Sequence, residues 1–408
     1  MKIRRVWILA LAVFGIGSLA ACQLAAVPAV LASPPAVGVP TETLAPAATS
    51  LPAETYTPIP TATPGPALAG PPQSANAPLP GPTDTPAPTP ADPPTPAPTD
   101  SPTPTPVATL KPAGRVGLGA YLDGTPYDSF AAVQRFEALL KHKMQYALWF
   151  QAWGNEDRAF PSSWVALAAQ KGLVPAITWE PWQRDFTNPT AVQPAYSLGS
   201  IVSGAHDEYI RSWAQGAKAA GVPMVIRFAQ EQSTEPGTRQ WYPWQGDPEG
   251  YKAAFRHIVT IFRGEGANNV QFLWSAMWLD QWAPQYYPGD DVVDMVGTTV
   301  LNHGTVPSVV WAKWRTFDDF FAGQYQSALR WNKPIVLTEL ASAEQGGDKA
   351  AWLRDCLTSL KPKYPLVQGV LLLEVPSDRE WPAINWSVAS SPASLAAFET
   401  AIGDAYFK

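Results

Sequence analysis

Glu231 closes the run Val225-Ile226-Arg227-Phe228-Ala229-Gln230-Glu231, and Glu339 closes Ile335-Val336-Leu337-Thr338-Glu339. Each carboxyl therefore follows a short apolar run of the kind that forms a buried strand. Two carboxyls that face each other can share the breaking of an acetal: one, with a raised pKa, protonates the leaving oxygen, and the other attacks or activates water. The ends of the other apolar runs carry Tyr121 and Asp123, Trp149 and Trp153, Trp179-Glu180, Trp274 and Trp278, Asn302-His303 and Glu374. Flat aromatic faces match the apolar faces of sugar rings, while Arg, Asn and Gln satisfy hydroxyls. The expectation is a polysaccharide as binding partner. If the two carboxyls lie roughly 5–5.5 Å apart the mechanism is retaining, with Glu231 as acid/base and Glu339 as nucleophile. Arg227, beneath them, would then keep Glu339 ionised.

Other chemistries have less support. A Gly-x-Ser-x-Gly elbow is lacking, and with 4 His and 2 Cys a metal centre of those ligands is not expected. Asp290, Asp291 and Asp294 follow Pro288-Gly289 and read as caps of a turn rather than a calcium cluster. Glu180 could bind sugar hydroxyls or pair with Arg184, and His303 could touch Glu339 or stand on the rim. Cys356 reads as a buried helix position. Neither metal nor cofactor is expected. A net charge of −6 argues against a nucleic-acid partner.

The elements that must position these residues are eight apolar runs: 116–121, 145–150, 174–179, 223–228, 270–275, 294–299, 334–339 and 368–374. Most are continuous rather than alternating, as in parallel strands buried on both faces. Helical patterns cover 128–140, 162–171, 207–220, 251–262, 317–331, 348–360 and 391–405, and Gly172 and Gly221 stop two of them. The alternation predicts one (β/α)8 TIM barrel over residues 113–408. An open doubly wound sheet is the other arrangement, but no glycine-rich phosphate loop follows the first strand. Reactive groups gather at the C-terminal strand ends of such barrels, and strands four and seven lie across the mouth.

The first 112 residues have another character. Of 45 prolines, 26 fall in 23–112, whereas 17 of the 18 tryptophans fall in 149–386. Lys2, Arg4 and Arg5 precede an apolar run ending Leu19-Ala20-Ala21-Cys22. That order reads as a signal segment over residues 1–22. Small residues before Cys22 resemble a lipobox, which implies a lipid anchor on Cys22 and a place on the extracellular face of a bacterial membrane, or secretion. Residues 23–112, rich in Pro, Thr and Ala, are expected to be a disordered linker. The protein is expected to be a monomer.

Gly221-Val222-Pro223-Met224-Val225-Ile226-Arg227-Phe228-Ala229-Gln230-Glu231, followed by Trp241-Tyr242-Pro243-Trp244, resembles glycoside hydrolase family 26. So do Asp207-Glu208-Tyr209-Ile210, the segment from Tyr287 to Gly297, Lys333 to Glu339, and Ser390-Ser391-Pro392. The resemblance covers nearly all of 115–405. It implies an endo-β-1,4-mannanase by default, or a β-1,3-1,4-glucanase, with Glu231 and Glu339 as catalytic pair. It also implies Trp179, Trp241, Trp244 and Trp274 as sugar platforms, while Arg227, Gln230 and His303 are further candidate substrate contacts read from the residues themselves. Three positions depart from the family pattern. Gln230 stands in place of His, Gln232-Ser233-Thr234 in place of Met-Asn-Gly, and Val300–Gly304 lacks the Tyr often found near the nucleophile. A protein that binds carbohydrate or assists exopolysaccharide assembly without turnover is the other function class.

Overall fold

The computed structural model describes residues 112–407; the signal segment, Cys22 and the proline-rich stretch up to residue 111 lie outside the described residues. Strands β1 (Gly117–Leu122), β2 (Tyr146–Ala152), β3 (Val174–Glu180) and β4 (Met224–Phe228) are followed by β5 (Val270–Ala276), β6 (Met295–Asn302), β7 (Ile335–Ser342) and β8 (Val367–Glu374). Each pairs in parallel with the next, and β8 returns to β1, closing an eight-stranded barrel. The (β/α)8 expectation is met, with strand starts displaced by one residue at most.

Helices α1 (Ala131–Leu140), α2 (Ser162–Gln170), α3 (Leu198–Val202), α4 (Asp207–Ala220), α5 (Pro248–Glu265), α6 (Phe317–Ala328), α7 (Lys349–Lys363) and α8 (Pro392–Ile402) surround it. Their ends follow local chemistry. Asp247 caps α5 by accepting from Gly250 N at 2.9 Å, with Pro248 in the first turn, where its missing N–H costs nothing. Thr316 and Asp319 form a reciprocal cap on α6, and Gly221 ends α4 in a left-handed conformation that lacks a side-chain penalty. β5 and β6 are joined by a short helical turn, Ala283–Tyr286, instead of a full helix.

Two apolar layers result. Inside the barrel, Leu148, Ala176, Val225, Leu273, Met295, Val336 and Leu371 fill its lower end. Outside, the larger core packs the opposite strand faces against the helices, and includes Trp149, Trp179, Trp213 and Trp274. Successive strand residues alternate between these layers, so a shift by one residue exchanges them. β7 breaks that alternation. Thr298 pairs with Leu337 but Thr299 pairs with Glu339, and on the other side Leu337 and Leu340 face Val370 and Leu372. One extra residue thus bulges from β7 at Thr338–Glu339, re-aiming the carboxyl toward the mouth. Gly297 on β6 leaves room for the bulge, since a Cβ there would lie 2.5 Å from Thr338 Cγ2.

Candidate active site

Above the apolar floor the barrel interior becomes polar. Thr178, Arg227, Ser275 and Thr338 are all buried, and Ser275 and Thr338 share a hydrogen bond of 3.0 Å. Arg227, at 1% exposure, rises from β4 and donates through Nη1 to Glu339 Oε1 at 2.6 Å. Glu231 lies three residues beyond β4 in a left-handed conformation (φ 57°), as does Ala229 (φ 44°). Such backbone is strained for a side-chain-bearing residue and needs anchoring. The anchors are visible: Glu231 N donates to Ser275 O at 2.8 Å, and Gln245 Nε2 donates to Glu231 O at 2.6 Å. Trp244 Nε1 holds the adjacent Gln230 carbonyl at 2.8 Å.

Glu231 and Glu339 line one cleft of about 280 Å³ together with Thr299, Trp241, Trp278, His303, Trp311 and Trp381. Burial, then repulsion from Glu339, raises Glu231 to about 7, against the opposing pull of Arg227 and of the Thr299 hydroxyl. Glu339 meets the Arg227 cation directly. The two carboxyls therefore sit in unlike environments, the arrangement that separates an acid from an anion.

The other expected residues divide. Gln230 is buried and donates to Glu180 Oε1 at 2.8 Å, while Glu180 also pairs with Arg184 at 2.8 Å. Glu180 is thus held by a structural pair as well as by the site. Trp241 lines the cleft as expected. Trp179 does not: it is fully buried outside the barrel against Trp153 and Trp213, at 4.7 and 4.6 Å between ring centroids. Trp274 likewise packs outward on Tyr287 and Trp331. Trp244 is 2% exposed and stacks on Tyr242, so it supports the Glu231 loop rather than presenting a face. These three tryptophans are corrected from sugar platforms to packing residues. His303 does line the cleft, but its Nδ1 pairs with Leu301 O, and its ring sits edge-on among Trp311, Trp381 and Trp386.

Trp311, Trp381 and Thr299 are among the cleft residues that were missed. Trp311, 59% exposed, belongs to the 14-residue loop 303–316, and Trp381 to the loop after β8. Their rings lie 5.9 Å apart. Thr299 also faces the cleft, where its hydroxyl meets Glu231. Asp290, Asp291 and Asp294 serve the turn: Asp291 pairs with Arg256 and Asp294 with Arg263. Among the described residues no group of three or more His, Cys, Asp or Glu is placed to hold a metal. Cys356 is buried in α7, and burial pushes its thiol well up, away from thiolate chemistry.

Comparison with known proteins agrees with this geometry. Residues 179–354, which include both glutamates, match the model of glycosyl hydrolase family 26. The matched stretch runs from the end of β3 into α7. Endoglucanase H of Acetivibrio thermocellus is 32% identical over 303 residues, covering 70% of this chain and 30% of that protein. The chain thus spans under a third of the length of that relative. A modular endo-β-1,4-mannanase from Cellulomonas fimi has a similar fold at 15% identity, with a TM-score of 0.54 over 73% of this chain and 72% of that one. A family 26 β-mannanase from Bacteroides ovatus is similar at 16% identity and a TM-score of 0.50, over 72% and 90% of the two chains.

Proposed function

We propose that the barrel is a retaining endo-β-glycosidase. The observation that carries the reading is the difference between the two cleft carboxyls. Glu231, with its pKa raised to about 7, is a proton donor near neutral pH, and Glu339 meets the Arg227 guanidinium at 2.6 Å. In the first step the Glu231 proton passes to the glycosidic oxygen as the C1–O bond breaks and Glu339 bonds to C1. In the second, Glu231 takes a proton from water, whose oxygen bonds to C1 as Glu339 leaves. Trp241, Trp278, Trp311 and Trp381 supply flat faces for the sugar units on the cleft walls.

The backbone we infer is a β-linked glucan. The 32% identity to Endoglucanase H supports glucose units more strongly than the 15% likeness to the Cellulomonas mannanase supports mannose units. The mannan reading rests on the family pattern around Glu231. Digestion of a panel of β-1,4-glucan, mixed-linkage β-1,3-1,4-glucan and β-1,4-mannan by the purified protein tests both. The expected result is new reducing ends on the glucans, with the β-anomer formed first by NMR. Release of the α-anomer would exclude retention. Binding to the panel without any hydrolysis would favour the non-hydrolytic class.

The Leu19-Ala20-Ala21-Cys22 segment supports a further part of the proposal: a lipid anchor at Cys22 that tethers the enzyme to the outer face of a bacterial membrane. Fractionation of cells expressing Cys22→Ala tests it; release of the protein from membranes is expected, and unchanged partitioning would refute the anchor.

A further inference from the structure

We propose that Thr299 is a positioning residue that fixes which oxygen of Glu231 carries the catalytic proton. The inference rests on the acid/base reading of Glu231. Thr299 Oγ1 donates to Glu231 Oε1 at 2.5 Å, and the threonine is 3% exposed. It stands on β6 directly in register with Glu339, at the point where the β7 bulge re-aims that carboxyl. Its hydroxyl thus meets one glutamate while its backbone pairs with the strand position of the other, and all three residues line the same cleft.

In a protonated carboxyl the carbonyl oxygen is the better acceptor, so a hydroxyl that donates to Oε1 favours Oε1 as the carbonyl oxygen. Oε2 is then the oxygen that holds the proton, gives it to the glycosidic oxygen, and later takes one back from water. The same bond stabilises the ionised carboxylate and works against the burial that raises its pKa. With a left-handed backbone at Glu231 and no second side-chain donor to its carboxyl among the described residues, the Thr299 hydroxyl is the group that sets the orientation of this carboxyl.

The test compares Thr299→Val, isosteric but without a donor, with Thr299→Ser, which keeps it. Expected for Thr299→Val is a kcat lowered about 10-fold or more, the scale of one hydrogen bond to a charged group. KM should stay within about two-fold, and the alkaline limb of kcat/KM should move to higher pH, because a bond favouring the anion is gone. Thr299→Ser should restore the limb, and Thr299→Ala should reproduce the Val profile should the Val chain fold poorly. An unchanged pH profile in both Val and Ala variants, or a change confined to KM, overturns the proposal. Loss of turnover in Glu231→Gln alongside that result would leave the acid/base reading standing. Full turnover in Glu231→Gln would instead remove the reading on which this proposal depends.

Discussion

Two regions of the barrel bury ionisable groups, and they treat them in opposite ways. Beneath the β8–α8 loop, Lys349 is 1% exposed, and its ammonium donates to the carbonyls of Asn385, Trp386 and Ser387 and to Ser390 Oγ. The neighbouring carboxylates are occupied as well: Glu374 accepts from Ser387 Oγ and Val388 N, and Glu344 from Ser390 at 2.6 Å. At the mouth, Arg227 is equally buried but has one carboxylate partner, and its Nε and Nη2 have no protein acceptor among the described residues. Burial pushes both titrating groups toward neutrality, Lys349 down to about 8 and Glu231 up to about 7. One cluster spends its polar groups on holding a loop; the other keeps them facing a cleft. Burial and a shifted pKa do not by themselves mark a catalytic site; incomplete satisfaction beside a cleft separates the two cases.

The largest test of that contrast is Glu339→Ala. Turnover is expected to fall by roughly 10⁵-fold, the scale seen when a covalent nucleophile is lost, with folding intact by circular dichroism. Glu231→Gln should follow at about 10²–10⁴-fold in kcat, the range for a positioned acid/base. In the wild type, kcat/KM should fall as pH rises through about 7, where Glu231 loses its proton. The same residue makes a stability prediction of definite sign. Because its folded pKa lies above the unfolded value of about 4.5, the native state binds the extra proton between 4.5 and 7. Its ionisation therefore destabilises the fold fully above pH 7 and not at all below 4.5. Glu231→Gln should be more stable than the wild type at pH 8, by about 3 kcal/mol, and the gain should vanish near pH 4. A gain that persists at pH 4 would mean that charge is not the cause.

The fold was largely legible because strands buried on both faces write themselves as continuous apolar runs, and glycines mark helix ends. α3 was not: five residues carry too little periodicity. In the site, the two carboxyls and Arg227 were found, Thr299 was missed, and several aromatics were misplaced because of strand alternation. Alternation along a strand, rather than nearness to its end, decides which layer a side chain enters. Thr178 and Glu180 face the barrel, so Trp179 between them faces the helices; Leu273 and Ser275 do the same to Trp274. Glu339 escapes this rule only through the bulge at Thr338, which the sequence does not announce. Trp311 and Trp381 lie on loops with no period, and only tertiary packing brings them to the cleft. Trp179→Ala should thus cost about 3–5 kcal/mol of stability, measured by denaturant unfolding, and leave KM unchanged. A raised KM without loss of stability would return Trp179 to the sugar site.

Lys349→Met removes the ammonium and leaves three carbonyls and a hydroxyl short of a donor. A loss of about 3 kcal/mol is expected in chemical unfolding, with kcat within about two-fold at a temperature where the variant is folded. A large fall in kcat there would make this cluster part of the catalytic machinery and erase the distinction drawn between the two regions.

Trp311→Ala is the smallest and most discriminating change. The ring is more than half exposed, touches His303 and Trp381 by its edges, and belongs to no regular element, so its removal opens little of the core. Unfolding free energy should change by under about 0.5 kcal/mol, as for surface substitutions. If a sugar unit stacks there, KM for a long polysaccharide should rise about 5- to 10-fold, equivalent to about 1–1.4 kcal/mol, with kcat retained. A short oligosaccharide that fills only the positions beside Glu231 and Glu339 should show no change. Equal effects on long and short substrates would place Trp311 at the bond being broken, and no effect on either would leave Trp241 and Trp278 as the aromatic wall that binds.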